Sequence, residues 1–119
     1  MFAQGFLPSS LAAGIAAADF SQALIDAPTV NWNIAAGTVA SLTIAASRTM
    51  AAPANLRVGA FVLILTQGGS GNCNVNWNPV FKWAAGAPPA LSTTVGAKDV
   101  ISFVCDGASL YGSYLRGVA

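Results

Sequence analysis

Hydrophobic and polar residues alternate along much of the chain after Pro28, and this period of two is typical of β-strands. In TVASLTI (residues 38–44) the alternation places alanine, leucine and isoleucine on one face. In NCNVNW (residues 72–77) three asparagines alternate with cysteine, valine and tryptophan. Asparagine is a poor strand residue, so this row predicts a solvated face or a wet interface, with a ligand-binding ladder as the alternative.

The segment AFVLILTQ (residues 60–67) is the most strand-like part of the sequence. Its apolar residues from Phe61 to Leu65 occupy both faces, which predicts a central strand that is covered on both sides. GGSG (residues 68–71) then predicts a hairpin loop, with NCNVNW as the returning strand. Further along, Asp106-Gly107 stands between two β-rich runs, which predicts a tight hairpin turn.

The composition differs before this strand pattern starts. SSLAAGIAAADFSQALIDA is rich in alanine, and Leu11 and Ile15 lie at helical spacing. A second short helix is predicted to end at Asp26. The first residues, MFAQGFLP, predict an extended strap, with a frayed terminus as the alternative. We therefore divide the chain into a partly helical N-terminal arm, residues 1–27, and a β domain, residues 28–119.

The spacing of the strands indicates the fold class. Several short strands separated by glycine and proline are typical of an all-β domain. We expect a small antiparallel β-sandwich or barrel that carries the N-terminal arm and its short helical segments. No internal repeat is visible in the sequence.

Composition sets the chain apart from an average soluble domain. It is 55% hydrophobic and 8% charged, with a mean hydropathy of +0.61, whereas soluble domains carry roughly 25% charged residues. No uncharged stretch is apolar over the about 20 residues that a membrane span needs. We therefore expect a surface covered by partners in an assembly, and no membrane association. The net charge of +1 and the scattered basic residues give no electrostatic case for nucleic acid.

No secretory signal is expected, because no Lys or Arg precedes Arg48 to form a positively charged n-region. Cys73 and Cys105 alternate in phase with apolar neighbours. This phase favours two buried free thiols, with a disulfide across the sandwich as the alternative.

Candidate catalytic residues are few. The sequence has no histidine or glutamate, and its carboxylates belong to Asp19, Asp26, Asp99 and Asp106. No spacing supports an acid–base pair, and no nucleophile motif, phosphate-binding loop or metal cluster occurs. We therefore expect no enzymatic activity, no cofactor and no metal site. Lys98 and Asp99 are interpreted as a solvated pair at the entry of a strand.

Residues 28–116 resemble a small β domain found in virion proteins of tailed bacteriophages. The matching features include a P-x-N-x-x-x-G turn (residues 53–59) and a hydrophobic strand that ends in Thr66-Gln67. They also include a loop, W…F-K-W…G-x-x-P-x-L-S, and a hairpin, D-V-I-S-F-V-x-D-G-x-x-L-Y-G. Cys105 stands where the resemblance leads us to expect tyrosine, which favours a free thiol over a disulfide.

The resemblance implies a non-enzymatic structural protein of the virion, assembled in the host cytoplasm. A β domain with an apolar arm fits a capsid decoration (cement) protein, which binds and stabilises the shell of major capsid protein. The resemblance also implies a homo-oligomer, preferably a trimer. The alternative is a tail, tail-fibre or head-fibre component with a receptor- or carbohydrate-binding role.

We expect the apolar residues of the N-terminal arm, and those of the proline-stiffened loop from Phe81 to Ser92, to pack against neighbouring chains or the sheet. Trp83 is expected to be mostly buried; a sugar-binding platform is the alternative. The predicted interface residues are Phe2, Phe6, Leu7, Leu11, Ile15, Phe81, Trp83, Pro88 and Pro89.

Overall fold

The computed structural model describes residues 21–118, and nine β-strands within them form two sheets. A six-stranded sheet has the order β1-β3-β5-β8-β9-β7, and a three-stranded sheet has the order β2-β4-β6. The strands are β1 Ser21–Ala23, β2 Thr29–Val30, β3 Val39–Ile44, β4 Arg48–Met50, β5 Val58–Gln67, β6 Val75–Trp77, β7 Phe81–Trp83, β8 Lys98–Asp106 and β9 Leu110–Val118.

The first six strands wind as a coil. Odd-numbered strands enter the six-stranded sheet and even-numbered strands the three-stranded sheet, and neighbours within each series are parallel. Ser21 pairs with Val39 and Val39 with Val62, so successive coils take 18 and then 23 residues. The chain thus stacks three turns of similar length, as solenoid proteins do.

The last strands close the six-stranded sheet with antiparallel pairs. β8 runs antiparallel to both β5 and β9, and β7 adds in parallel to the other side of β9. Asp106 and Gly107 begin the turn between β8 and β9, as predicted. Gly107 has a φ of 96°, a backbone conformation that favours glycine.

These sheets confirm a β-rich fold and correct its topology. The pairing is mixed in one sheet and wholly parallel in the other, rather than that of an antiparallel sandwich or barrel. The hairpin predicted at GGSG is wrong, because β5 and β6 lie in different sheets. The Gln67 side chain accepts from Cys73 N and donates to Cys73 O, and these buried bonds fix the turn between the two sheets.

The short helix predicted to end at Asp26 is also corrected. Ser21–Ala23 is a strand parallel to β3, and the Gln22 amide donates to the carbonyl oxygens of Asn33 and Gly37. The six-stranded sheet therefore begins on the arm side of the boundary predicted between residues 27 and 28. That boundary stays a prediction.

The core lies between the two sheets and contains a cluster of five aromatic rings. Phe103 on β8 contacts the other four, with ring centroids 5.4–6.3 Å apart. Trp32 and Trp77 come from the three-stranded side, whereas Phe81 and Trp83 come from β7. Edge-to-face packing of this kind adds to the burial of apolar area, so the cluster joins the two sheets.

Polar contacts between side chains align the successive coils. Asp26, which precedes β2, accepts two hydrogen bonds from the Arg48 guanidinium at the start of β4, at 2.7 and 2.9 Å. At the opposite turn, Asn33 Oδ1 accepts a hydrogen bond from Asn55 Nδ2 of the next coil. Both residue pairs are 22 positions apart, about one coil.

Gly112 leaves space for the aromatic cluster. A Cβ atom at this position would overlap the Trp83 ring and lie 2.9 Å from Phe103 Cε1. We expect Gly112→Ala to cost about 1–3 kcal/mol of unfolding free energy, the range for overpacked cores. Urea denaturation measures this cost. Ser113→Ala, at an exposed position of the same strand, is the control and should change stability by less than about 0.5 kcal/mol. Equal stability of the two variants would contradict the packing described.

The Asp26–Arg48 pair predicts acid sensitivity. The hydrogen bond from Arg48 lowers the pKa of Asp26, with a further contribution from Ala45 N. Because the pKa of Asp26 is lower in the folded state, the ion pair stabilises the fold at pH values above the unfolded-state pKa of about 3.9. This stabilisation is lost as the pH falls through the folded-state pKa. Asp26→Asn should therefore lose stability at neutral pH, and its stability should fall less than that of the wild type between about pH 4 and pH 2.

The comparison requires urea denaturation of both proteins across this pH range. Asp106 gives a second acid-sensitive contribution, because the N–H groups of Ser109 and Ala108 lower its pKa. Asp26→Asn should therefore keep part of the acid destabilisation. An unchanged pH profile in the variant would show that the ion pair does not contribute.

Candidate interaction surface

The outward side of the six-stranded sheet forms a regular surface, and we call it the outer face. Successive side chains of a strand point to opposite sides of the sheet. The residues that lie between the buried positions of each strand therefore share the outward side. Three registered rows define it. They are Ala23–Ser41–Ile64–Val100–Leu115, Ser21–Val39–Val62–Ser102–Ser113 and Ala60–Val104–Tyr111–Lys82.

The outer face exposes aliphatic side chains among small ones. Val104 and Leu115 are 62% and 66% exposed, and Val58 at the end of β5 is 73% exposed. Val62 and Ile64 are half-buried, so β5 is central as predicted but only its inner side is fully covered in the described residues. Serines at positions 21, 41, 102 and 113 lie among these side chains. Exposed apolar residues that cluster on one face mark a contact surface more often than isolated ones do.

The charges of the outer face lie at its margins. Along β8 Lys98 stands at one end and Asp106 at the other, while Lys82 lies on the edge strand β7. The two rows that contain Val62 and Ile64 carry no charged side chain among the described residues. The middle of the surface is therefore neutral over five strands.

Asp106 is engaged in its own turn. Its carboxylate accepts hydrogen bonds from the N–H groups of Ala108 and Ser109 and from the Tyr111 hydroxyl. The bond with Asp106 in turn raises the pKa of Tyr111. The geometry assigns this carboxylate to turn formation and to the charge at one end of the outer face.

The opposite side of the molecule has a different character. The outward side of the three-stranded sheet, which we call the polar face, presents Thr29, Thr49 and Asn76 in one registered row. Asn72, Asn74 and Asn76 are exposed, and Cys73 is buried, as the alternation predicted. Hydroxyl and amide groups thus cover this side of the molecule, whereas the outer face combines aliphatic side chains with serines.

The structure separates the four predicted interface residues of the Phe81–Ser92 loop. Phe81 and Pro89 are buried within the chain, and their contact with another chain stays a prediction. Trp83 is half-buried in the aromatic cluster, and Pro88 is exposed. Contact of Trp83 and Pro88 with another chain stays a prediction. Phe2, Phe6, Leu7, Leu11 and Ile15 lie outside the described residues.

Asp99 has a different role from the one predicted. It is 2% exposed rather than solvated, and its carboxylate accepts hydrogen bonds from Ser92 N, Ser92 Oγ and Gly117 N at 2.7–2.8 Å. Lys98 instead donates to Thr66 Oγ1. Asp99 therefore fastens the end of the loop to β9. In the sequence, Asp99 is a carboxylate followed by apolar strand residues, and this pattern does not indicate a contact with Ser92 or Gly117.

A cleft of about 400 Å³ lies at the first coil, between the β1–β2 connection and the turn after β4. Gln22, Ile25, Trp32 and Asn33 are among its lining residues. The buried Trp32 Nε1 has no hydrogen-bond partner within the described residues. The cleft combines amide groups with an apolar floor.

Among residues 21–118 no group of histidine, cysteine or carboxylate side chains could hold a metal ion. Cys73 and Cys105 are both buried and free, as predicted. No helix in the same range is long and apolar enough to cross a membrane. Comparison of the chain with protein families, with curated proteins and with solved structures gives no match in any of the three. The resemblance to a bacteriophage virion domain therefore stays a prediction.

Asp99 offers a direct test of how the loop is held. Asp99→Ala leaves the N–H groups of Ser92 and Gly117 without their acceptor, so it should cost about 2–5 kcal/mol of unfolding free energy. Asp99→Asn keeps one acceptor oxygen and should cost less. Lys98→Ala, at the neighbouring exposed position, is the control and should cost under about 1 kcal/mol. Urea denaturation of the three variants checks this order, and an Asp99→Ala protein as stable as Lys98→Ala would contradict the assigned role.

Proposed function

We propose that this chain is a non-enzymatic structural protein of a bacteriophage virion, and that it works as a capsid decoration (cement) protein. In this role it binds the shell of major capsid protein as a homo-oligomer and stabilises it. The resemblance alone gives three as the number of copies. Its place of action is the virion.

The opposite character of the two outward sides carries the proposal. In its middle the outer face carries no charge and combines aliphatic side chains with serines, whereas the polar face presents threonine and asparagine. A protein fixed to a shell needs one side for protein contacts and another for water. Only 8% of the residues are charged, which also fits a chain with much of its surface in contact with partners.

The carboxylates of the described residues support a structural role. Asp26 pairs with Arg48, Asp99 holds the loop, and Asp106 forms the last turn. Each is committed to a contact that maintains the fold. General acid–base catalysis uses a carboxylate or imidazole that is free to exchange a proton with a substrate.

A second candidate is a tail, tail-fibre or head-fibre component that binds a carbohydrate receptor. The observation in its favour is the polar face, where neutral hydroxyl and amide groups are spaced along flat parallel strands. Binding of a glycan there would be weakened by alanine at Asn74 and Asn76, two exposed positions. A glycan screen with the wild type and this double variant tests the candidate.

The number of chains per particle separates the two roles. Quantitative mass spectrometry of purified virions, calibrated with isotope-labelled peptides of this chain, should give a number comparable to that of the major capsid protein. Particles that lack the chain should open at lower temperature than complete particles. A handful of copies per virion would favour the tail or fibre role, and virions without the chain would contradict both.

A further inference from the structure

We propose that the outer face is the surface through which two copies of this chain meet, face to face and with their strands antiparallel. The inference rests on the self-association proposed above. It adds the surface and the arrangement, and it replaces the three copies that the resemblance implies with a two-fold pair. A second copy of the chain is the occupant that the size, the neutrality and the end charges of this face favour.

The size of the outer face suits a stable contact. β5, β8 and β9 have nine or ten residues each, which gives strands about 30 Å long at about 3.3 Å per residue. With the shorter β1, β3 and β7 at about 4.8 Å spacing, the flat footprint is roughly 600 Å². Stable interfaces bury roughly 600–1,000 Å² per partner, so the face reaches the lower end of this range.

The neutral middle of the outer face allows a copy to pack on it. Two identical surfaces bring together aliphatic side chains and serine hydroxyls, and no charge in the two central rows loses its water. Burial of an unpaired charge is what most strongly opposes contact between identical surfaces. The net charge of +1 for the whole chain adds little repulsion between copies.

The ends of the face favour antiparallel stacking. Lys98 and Asp106 lie on the same side of β8 and at its two ends. In a two-fold pair whose axis crosses the strands, Lys98 of each copy lies over the end that carries Asp106 in the other copy. Parallel stacking would place like charges together. A two-fold contact uses the same patch twice, and the opposite end charges of β8 are complementary in this arrangement. The third charge of the face, Lys82, lies at its margin on the edge strand β7.

Serine at position 102 gives a sharp test, because it is a small, exposed residue in the middle of the central rows. Sedimentation velocity of the full chain between about 1 and 100 µM should show that the wild type forms a dimer. Ser102→Lys should weaken the association ~100-fold or more, because it places a charge in the contact. Ser102→Ala should associate like the wild type.

Val95→Lys is the matched control. It adds the same charge at a position that is 55% exposed in a loop outside the outer face, and it should dimerise like the wild type. Circular dichroism and thermal unfolding of each variant should match the wild type at concentrations where all are monomeric.

Several results would overturn the proposal. A monomeric wild type at the highest concentration would exclude the self-contact, and a dimer of Ser102→Lys as stable as that of the wild type would exclude this surface. A trimer would exclude the two-fold arrangement. A Ser102→Lys protein that associates like the wild type but melts at a lower temperature would show that another part of the same chain covers the face. The copy number in virions is independent of all four results, so failure here leaves the proposed virion role open to its own test.

Discussion

The packing of aromatic rings around Phe103 joins the two sheets, and the rest of the structure depends on that contact. The strands of the three-stranded sheet have only two or three residues, too few to form a stable sheet alone. Their inward residues are held because Trp32 and Trp77 pack against Phe103 of the larger sheet. Both series of strands bury their inward residues in this shared interior, so the parallel coil depends on it.

This shared interior determines what is left for function. Because the inward sides of both sheets are buried against each other, the molecule presents two outward sides, and the sequence gives them opposite chemistry. The outer face, with most of the exposed aliphatic side chains, and the polar face, with hydroxyl and amide groups, occupy opposite sides of one small domain. The proposed self-contact is a consequence of this division, because two copies would cover each other's outer faces and leave their polar faces to the water.

Local features of the fold were predictable from the sequence, whereas the order of strand pairing was not. The turn at Asp106-Gly107 and the asparagine row follow from turn chemistry and from alternation, which act over a few residues. Parallel pairing depends on residues about 20 positions apart, and the coils repeat only loosely. Two short motifs recur in different coils. N-x-x-x-G occurs at residues 33–37 and 55–59, and VNWN occurs at residues 30–33 and 75–78. The two VNWN copies are two residues out of register, since Val30 and Trp77 both pair with Met50.

The interaction surface was only partly accessible to sequence reasoning for a similar reason. The low charge indicates contacts with other chains, and these stay a prediction. The loop with Phe81 and Pro89 is conspicuous because its apolar residues are adjacent in sequence, but these two side chains are buried in the chain itself. The outer face brings together residues from six strands. The measurement that tests its role most directly is thiol labelling of Ser102→Cys and Thr49→Cys, exposed positions on the outer and polar faces, while Cys73 and Cys105 stay buried. In assembled particles the account predicts protection at position 102 and full labelling at position 49, and equal labelling of the two positions would contradict it.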